Sequence, residues 1–339
     1  MCSSSRCLVV VVLLLLALPA RAAEPQSFQF DNGIDATIYP PEYILDHLTL
    51  RRGQEMLFLV DDVQYRLITD IADPMIANKG DGRFHPMAID EVIAALRAIE
   101  MPNVPLPVRV FVLPYPRREV LDSSARGDLV MLTPGVREVS ASTIHFTVTH
   151  EMGHIYQYRW MPDELAEVWD DYSARRGIGD PTVYHAAAIH RNRPHEVFAE
   201  DYRFLFGGSL SVSSGTIENP ELALPTNVPG LDVFILALPE ARRAAAPPRV
   251  VPTPNPFNPS TEIRVDFDGR ARDRQVQVRV FDAQGRQVRK LYRGVLQGNQ
   301  LRLRWNGQYQ NGRRASSGVY FARLDYDGKS TTRKLMLLK

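Results

Sequence analysis

His150-Glu151-Met152-Gly153-His154 gathers two imidazoles and a carboxylate into one short stretch. On a helix, residues i and i+4 share a face, so His150 and His154 are spaced to hold one metal ion, with Glu151 beside them to take a proton from water activated there. A catalytic zinc site needs a third protein ligand and an open position. Glu196-Val197-Phe198-Ala199-Glu200 offers two carboxylates, again at i and i+4. Either can serve. Glu196 is the expected ligand, and Glu200 then hydrogen-bonds a ligand histidine and sets its tautomer. His195 is a rival, but adjacent helix positions point about 100° apart. Imidazole and carboxylate donors suit one Zn2+ ion. The chemistry expected of the set is peptide-bond hydrolysis, with Glu151 as the general base that later delivers a proton to the leaving amine. The oxyanion needs a donor besides the metal, and Tyr184, His185 and His190 lie between the two halves of the motif.

The motif must sit on a helix, predicted from Ser142 to Tyr158, with Ile144, Val148 and Ile155 as its apolar stripe. Asp163 to Arg176 reads as a second helical stretch. Pro194 suits the first turn of a third, which runs through Glu196 to Leu205 and stops at Gly207-Gly208. Upstream, Leu57–Val60, Val108–Val112 and Asp128–Leu132 read as strands, and Ile89, Val92, Ile93, Leu96 and Ile99 share one helical face. Val233 to Leu238 closes this part of the chain. Residues 23–243 are therefore expected to form one α+β domain. Residues 244–256, rich in Ala and Pro, read as a stiff linker. In residues 257–339 the texture changes to short alternating runs, Ile263–Phe267, Val276–Val280, Leu301–Trp305 and Val319–Leu324, parted by turn signals such as Asn306-Gly307 and Asp327-Gly328. That pattern means an all-β sandwich.

A chain of 339 residues suggests two domains. Residues 1–22 read as a secretory signal peptide: Arg6, the apolar run Leu8–Leu18, and Ala20-Arg21-Ala22 as a cleavage site before Ala23. Cys2 and Cys7, the only cysteines, fall inside it. The exported chain then has neither disulfide nor thiolate ligand, and its metal site must use His and carboxylate. Net charge is +1, which gives no whole-chain attraction to nucleic acid. Residues 251–339 nevertheless hold 18 Lys/Arg against 7 Asp/Glu, about +11, leaving about −10 elsewhere. Such a surplus suits either a solvated surface or contact with an anionic one.

The pairing of His150-Glu151-x-x-His154 with a later Glu-x-x-x-Glu helix resembles the glutamate-zincin metallopeptidases, and its Glu-x-Phe-Ala-Glu form is similar to the lethal-factor and Pro-Pro endopeptidase group. The resemblance implies an α+β zincin-like catalytic domain, Glu196 as the ligand, and an edge strand that holds extended peptide, a role falling by analogy to Leu129–Leu132. That group carries Tyr seven residues before the ligand Glu, where this chain has Ile189, so neither its oxyanion donor nor its proline specificity carries over. At the other end, Pro254-Asn255-Pro256-Phe257-Asn258-Pro259, Val280-Phe281-Asp282, Trp305-Asn306-Gly307, Ser317-Gly318-Val319-Tyr320-Phe321 and Lys334-Leu335-Met336-Leu337-Leu338-Lys339 resemble, in order, the type IX secretion C-terminal sorting domain and the related immunoglobulin-like domain of flagellar hook-capping proteins. This implies an immunoglobulin-like sandwich, partnership with outer-membrane secretion machinery, and secretion or surface attachment in a diderm bacterium, where the basic surplus suits an anionic glycolipid. The expected whole is a secreted zinc endopeptidase acting on polypeptide. The alternative is a catalytically silent zincin-fold surface binding or adhesion protein, against which the retained Glu151 argues.

Overall fold

The computed structural model describes residues 24–245, 247–267 and 274–338, so the signal-peptide stretch lies outside the described residues. These residues cluster into two compact units. The first runs up to Arg159 and adds Gly177–Asn227; the second joins Trp160–Arg176 to the chain from Val228 onward.

The first unit opens with β1 (Gln26–Gln29), β2 (Ile34–Tyr39), α1 (Pro41–His47), β3 (Thr49–Arg52), β4 (Glu55–Val60) and β5 (Val63–Leu67). It continues through α2 (Ile89–Arg97), β6 (Leu106–Val112), β7 (Ser124–Arg126), β8 (Leu129–Leu132) and α3 (Ala141–Trp160). Two sheets result. One has strand order β1-β2-β6-β8-β7, with β2, β6 and β8 parallel and the outer strands antiparallel. The other is the meander β3-β4-β5. Alternation decides which face each strand buries: Ile34, Ala36 and Ile38 of β2 point inward, and so do Val108 and Val110 of β6. Met56, Phe58 and Val60 of β4 pack with Ile44 of α1, Phe111 of β6 and Leu129 and Met131 of β8 in one apolar cluster.

One expectation is corrected here. Leu129–Leu132 is not an edge strand. It lies between β6 and β7, and all four of its residues are buried. The turn at Gly127, whose φ of +63° is cheap only for glycine, folds Ser124–Arg126 back onto it, and β7 becomes the edge. Three small or polar residues carry no strand signature, which is why pattern alone stops at β8.

The second unit holds α4 (Ala166–Arg176), then, beyond α5 (Pro194–Phe206) and α6 (Gly208–Ser211) of the first unit, α7 (Leu231–Ala245). Tyr172 of α4 stacks on Phe234 of α7 with 6.1 Å between ring centroids. Its strands are β9 (Arg249–Thr253), β10 (Thr261–Asp266), β11 (Gln275–Asp282), β12 (Gln287–Val295), β13 (Gln300–Trp305), β14 (Gly318–Tyr326) and β15 (Lys329–Leu337). They form two antiparallel sheets, β13-β10-β9 and β12-β11-β14-β15. Their inward residues, among them Val250, Ile263, Val265, Val278, Val280, Ala322, Leu324 and Leu335, share one core. β9 falls inside the stretch expected as linker. Its Val250 is buried in that core, and its Pro252 is tolerated because β9 is an edge strand, where a missing N–H breaks no ladder. Among the described residues no helix is long and apolar enough to cross a membrane.

Trp305 anchors this core. It is fully buried, its ring meets Phe257 at 5.4 Å and Tyr320 at 5.0 Å, and its Nε1 donates to Gln308 O at 3.0 Å. Trp305→Ala is expected to destabilise the sandwich by about 3–5 kcal/mol, read as a lowered denaturation midpoint of the full chain with the unfolding transition followed by circular dichroism.

Candidate metal centre

Two helices build the site. α3 begins beside Ser140, whose Oγ accepts the Thr143 N–H at 3.2 Å, and it buries Ile144, Val148, Met152 and Ile155. α5 begins with Pro194, where a missing N–H costs nothing, and is capped at Gly207, whose N–H donates to Arg203 O. The helices meet at Gly153 and Ala199: a Cβ on Gly153 would lie 2.8 Å from Ala199 Cα and 3.0 Å from Ala199 O. Gly153 stands between His150 and His154, and Ala199 between Glu196 and Glu200. The absence of one side chain therefore lets the imidazoles and the carboxylates converge.

His150 Nε2 is 3.3 Å and His154 Nε2 3.1 Å from Glu196 Oε2. The three donor atoms lie within 4.8 Å of one another, close enough to hold one metal ion. Glu200 stands behind the group: His150 Nδ1 donates to its Oε1 at 2.9 Å. His154 has no such partner, its Nδ1 being buried without a hydrogen bond. Glu151 is buried, and its Oε2 also lacks a partner. A buried acceptor oxygen with no protein partner is costly, and such atoms mark places where a proton, water or ligand is met. The donor set and the free Glu151 oxygen together suit a divalent ion with an open position.

The electrostatics agree. Burial opposes the charge on Glu196, but hydrogen bonds with His150 and His154 outweigh it and hold the carboxyl well below its usual range. Burial likewise opposes charge on Glu200, and the bonds from Arg203 and His150 hold it down at about 2. At His150 burial favours the neutral ring, yet the bonds to Glu196 and Glu200 raise its pKa to about 10. Burial pushes Glu151 up from the ordinary 4.5. Without a cation, then, half-buried Glu196 and buried Glu200 together keep a proton on His150.

Two residues that pattern reading passed over hold this arrangement. Arg203 is fully buried, donates to both oxygens of Glu200, and lies 4.1 Å over the ring of Phe146, which itself stacks on His150. Its place at i+3 from Glu200 is the only sequence signal for it. Tyr158, one turn beyond His154, stacks on that imidazole at 6.3 Å, and its hydroxyl lies 3.4 Å from Ala125 O of edge strand β7. Of the candidate oxyanion donors, His190 is brought to the centre, its Nε2 lying 3.4 Å from Glu196 Oε2 and its Nδ1 2.8 Å from Glu218 Oε2. Tyr184 lies in the turn after Asp180, where its backbone N–H donates to Asp180 O, and His185 is exposed; among the described residues neither is hydrogen-bonded to the triad.

Residues 253–338 match the family of secretion system C-terminal sorting domains. Similar solved structures include dimeric latent PorU of Porphyromonas gingivalis (23% identity over 27% of this chain and 10% of that one, TM-score 0.24). PorZ, an essential surface component of the type IX secretion system of the same organism, is 22% identical over 26% of this chain and 11% of its own, with a TM-score of 0.20. FlgD of P. aeruginosa is 20% identical over 27% of this chain and 68% of its own, with a TM-score of 0.18. The chain thus spans about a tenth of the length of PorU and PorZ. No curated protein matches it. The C-terminal module is a type IX sorting tail, which directs export to the surface or exterior of a diderm bacterium.

Gly153→Ala is expected to force the helices apart, because the new Cβ meets backbone rather than a flexible side-chain end. Stability should fall by about 1–3 kcal/mol in urea unfolding, with weaker zinc binding in chelator competition. Because a cation must displace the proton that Glu196 and Glu200 hold on His150, zinc binding should release protons and tighten as pH rises from about 6 to 8. Calorimetry in buffers of different ionisation enthalpy measures this; binding with no proton release contradicts the arrangement.

Proposed function

We propose that the chain is a secreted zinc-dependent endopeptidase, with His150, His154 and Glu196 as ligands and Glu151 as general base. The observation that carries this reading is the convergence of three donor atoms beside a buried carboxylate oxygen that has no other partner. Zinc, when bound, supplies a Lewis acid that polarises the scissile carbonyl and acidifies water. Glu151 takes the proton of the attacking water and then delivers it to the leaving amine, a task suited to a carboxyl whose burial raises its proton affinity. Glu200 orients the His150 ring through Nδ1. His190 is the donor to the carbonyl oxygen as negative charge develops there, which its nearness to Glu196 supports.

Edge strand β7 is the surface against which an extended polypeptide lies, adding a strand to the sheet. Its link through Tyr158 to the His154 ring supports this. The basic surplus of the sorting tail fits an anionic glycolipid at the cell surface. A silent surface-binding protein would share the tail and the triad, but would have no use for the retained Glu151 carboxylate beside them. In this proposal a zincin-like α+β domain is followed by an immunoglobulin-like sandwich.

The test is cleavage of a mixed peptide library by the purified protein, with and without chelator, beside Glu151→Gln. Cleavage should require metal. The substitution should lower kcat by about 10²–10⁴ while zinc stays bound, since it removes the proton acceptor and leaves the ligands. Wild-type protein carrying full zinc that cleaves nothing would overturn the peptidase reading.

A further inference from the structure

The turn that carries His190 is held from behind by residues far along the chain. Asn219, buried, donates from Nδ2 to Arg191 O at 3.1 Å and to Asn192 Oδ1 at 2.9 Å. Beside it, Glu218 accepts from His190 Nδ1 at 2.8 Å. The Glu218 backbone N–H donates in turn to Glu200 Oε2 at 2.9 Å. The other oxygen of that carboxylate receives His150 Nδ1. Arg203 secures the same segment, donating to Ser211 O at 2.6 Å and Thr216 O at 2.9 Å while it grips Glu200. One buried carboxylate thus locates both a metal-facing imidazole and the side chain that meets His190.

We propose that Glu218 is a positioning residue: it fixes the His190 ring so that Nε2 faces the reacting carbonyl at the metal centre, and Glu200 sets where Glu218 stands. The inference rests on the peptidase reading and adds to it how the oxyanion donor is aimed. The His190 side chain is 54% exposed, so packing restrains the ring only in part. Glu218 supplies what packing does not. An exposed pair of this kind adds little to stability, whereas a carboxylate that accepts from Nδ1 fixes the direction of the ring, whose Nε2 donates as well when both nitrogens carry protons. His190 stands beside the group of three donors rather than within it, its Nε2 3.4 Å from Glu196 Oε2.

Glu218→Ala, Glu218→Gln and His190→Ala in the full chain test this on whichever library peptide the wild type cleaves. Every substitution at 218 keeps the backbone N–H that bonds Glu200, so the segment keeps its anchor. Glu218→Ala should lower kcat about 10–100-fold with KM and zinc content unchanged, as loss of a transition-state contact does. Glu218→Gln retains an acceptor oxygen and should recover most of the loss. The double variant with His190→Ala should be no slower than His190→Ala alone. Independently of catalysis, the Nδ1–H resonance of His190 in the metal-free protein should be observable in the wild type and vanish in Glu218→Ala. Unchanged kcat in Glu218→Ala, beside an active wild type and an inactive Glu151→Gln, overturns the proposal and leaves the peptidase reading intact. Loss of zinc in Glu218→Ala overturns it too, by making the residue part of the metal centre's framework. A zinc-loaded wild type that cleaves nothing sinks the peptidase reading, and this role with it.

Discussion

The Glu200 carboxylate is the interaction on which the site depends. It is buried, and four donors meet it: His150 Nδ1, Arg203 Nε and Nη2, and the Glu218 N–H. A charge removed from water is tolerated only when it is paired and its remaining lone pairs are filled, and here both conditions hold. The contacts close into a ring. His150 bonds Glu200, Glu200 bonds Arg203, Arg203 lies over Phe146, and Phe146 stacks on His150. Each member restrains the next, so the orientation of the imidazole is overdetermined rather than left to one bond.

Distance is controlled separately, by the contact of Gly153 with Ala199. Helix axes approach as closely as the side chains between them allow. With only hydrogen on one side and a methyl on the other, α3 and α5 come near enough for Glu196 to reach both histidines. The consequence is electrostatic. Two carboxylates, one buried and one half-buried, flank the His150 ring, and without a cation they retain a proton on it. Proton and metal are competing occupants of one charge deficit.

The two units divide the tasks. Every candidate reactive group lies in the first, and the second contains the sorting tail, whose core is filled by strand residues that alternate inward around Trp305. A sandwich closed by its own apolar core suits a sorting module.

Much of this was legible in the sequence because it is local. His150 and His154 share a helix face at i and i+4, and so do Glu196 and Glu200, so spacing alone marked the two faces that carry candidate ligands, whereas packing brings Glu196 rather than Glu200 to both histidines. The alternation of Val276–Val280 and Val319–Leu324 likewise announced strands that bury one face. What tertiary structure decided are contacts between segments without a common period. β7 covers β8 because of one turn at Gly127, although Ser124-Ala125-Arg126 has no strand pattern. Val250 joins the sandwich core from a stretch whose prolines read as linker. His190 meets Glu218, and Arg203 meets Thr216 O, only because Glu200 gathers them. A polar residue in a loop carries no periodicity. Which partner it finds is set by where the packed helices bring the loop, and that depends on the whole core.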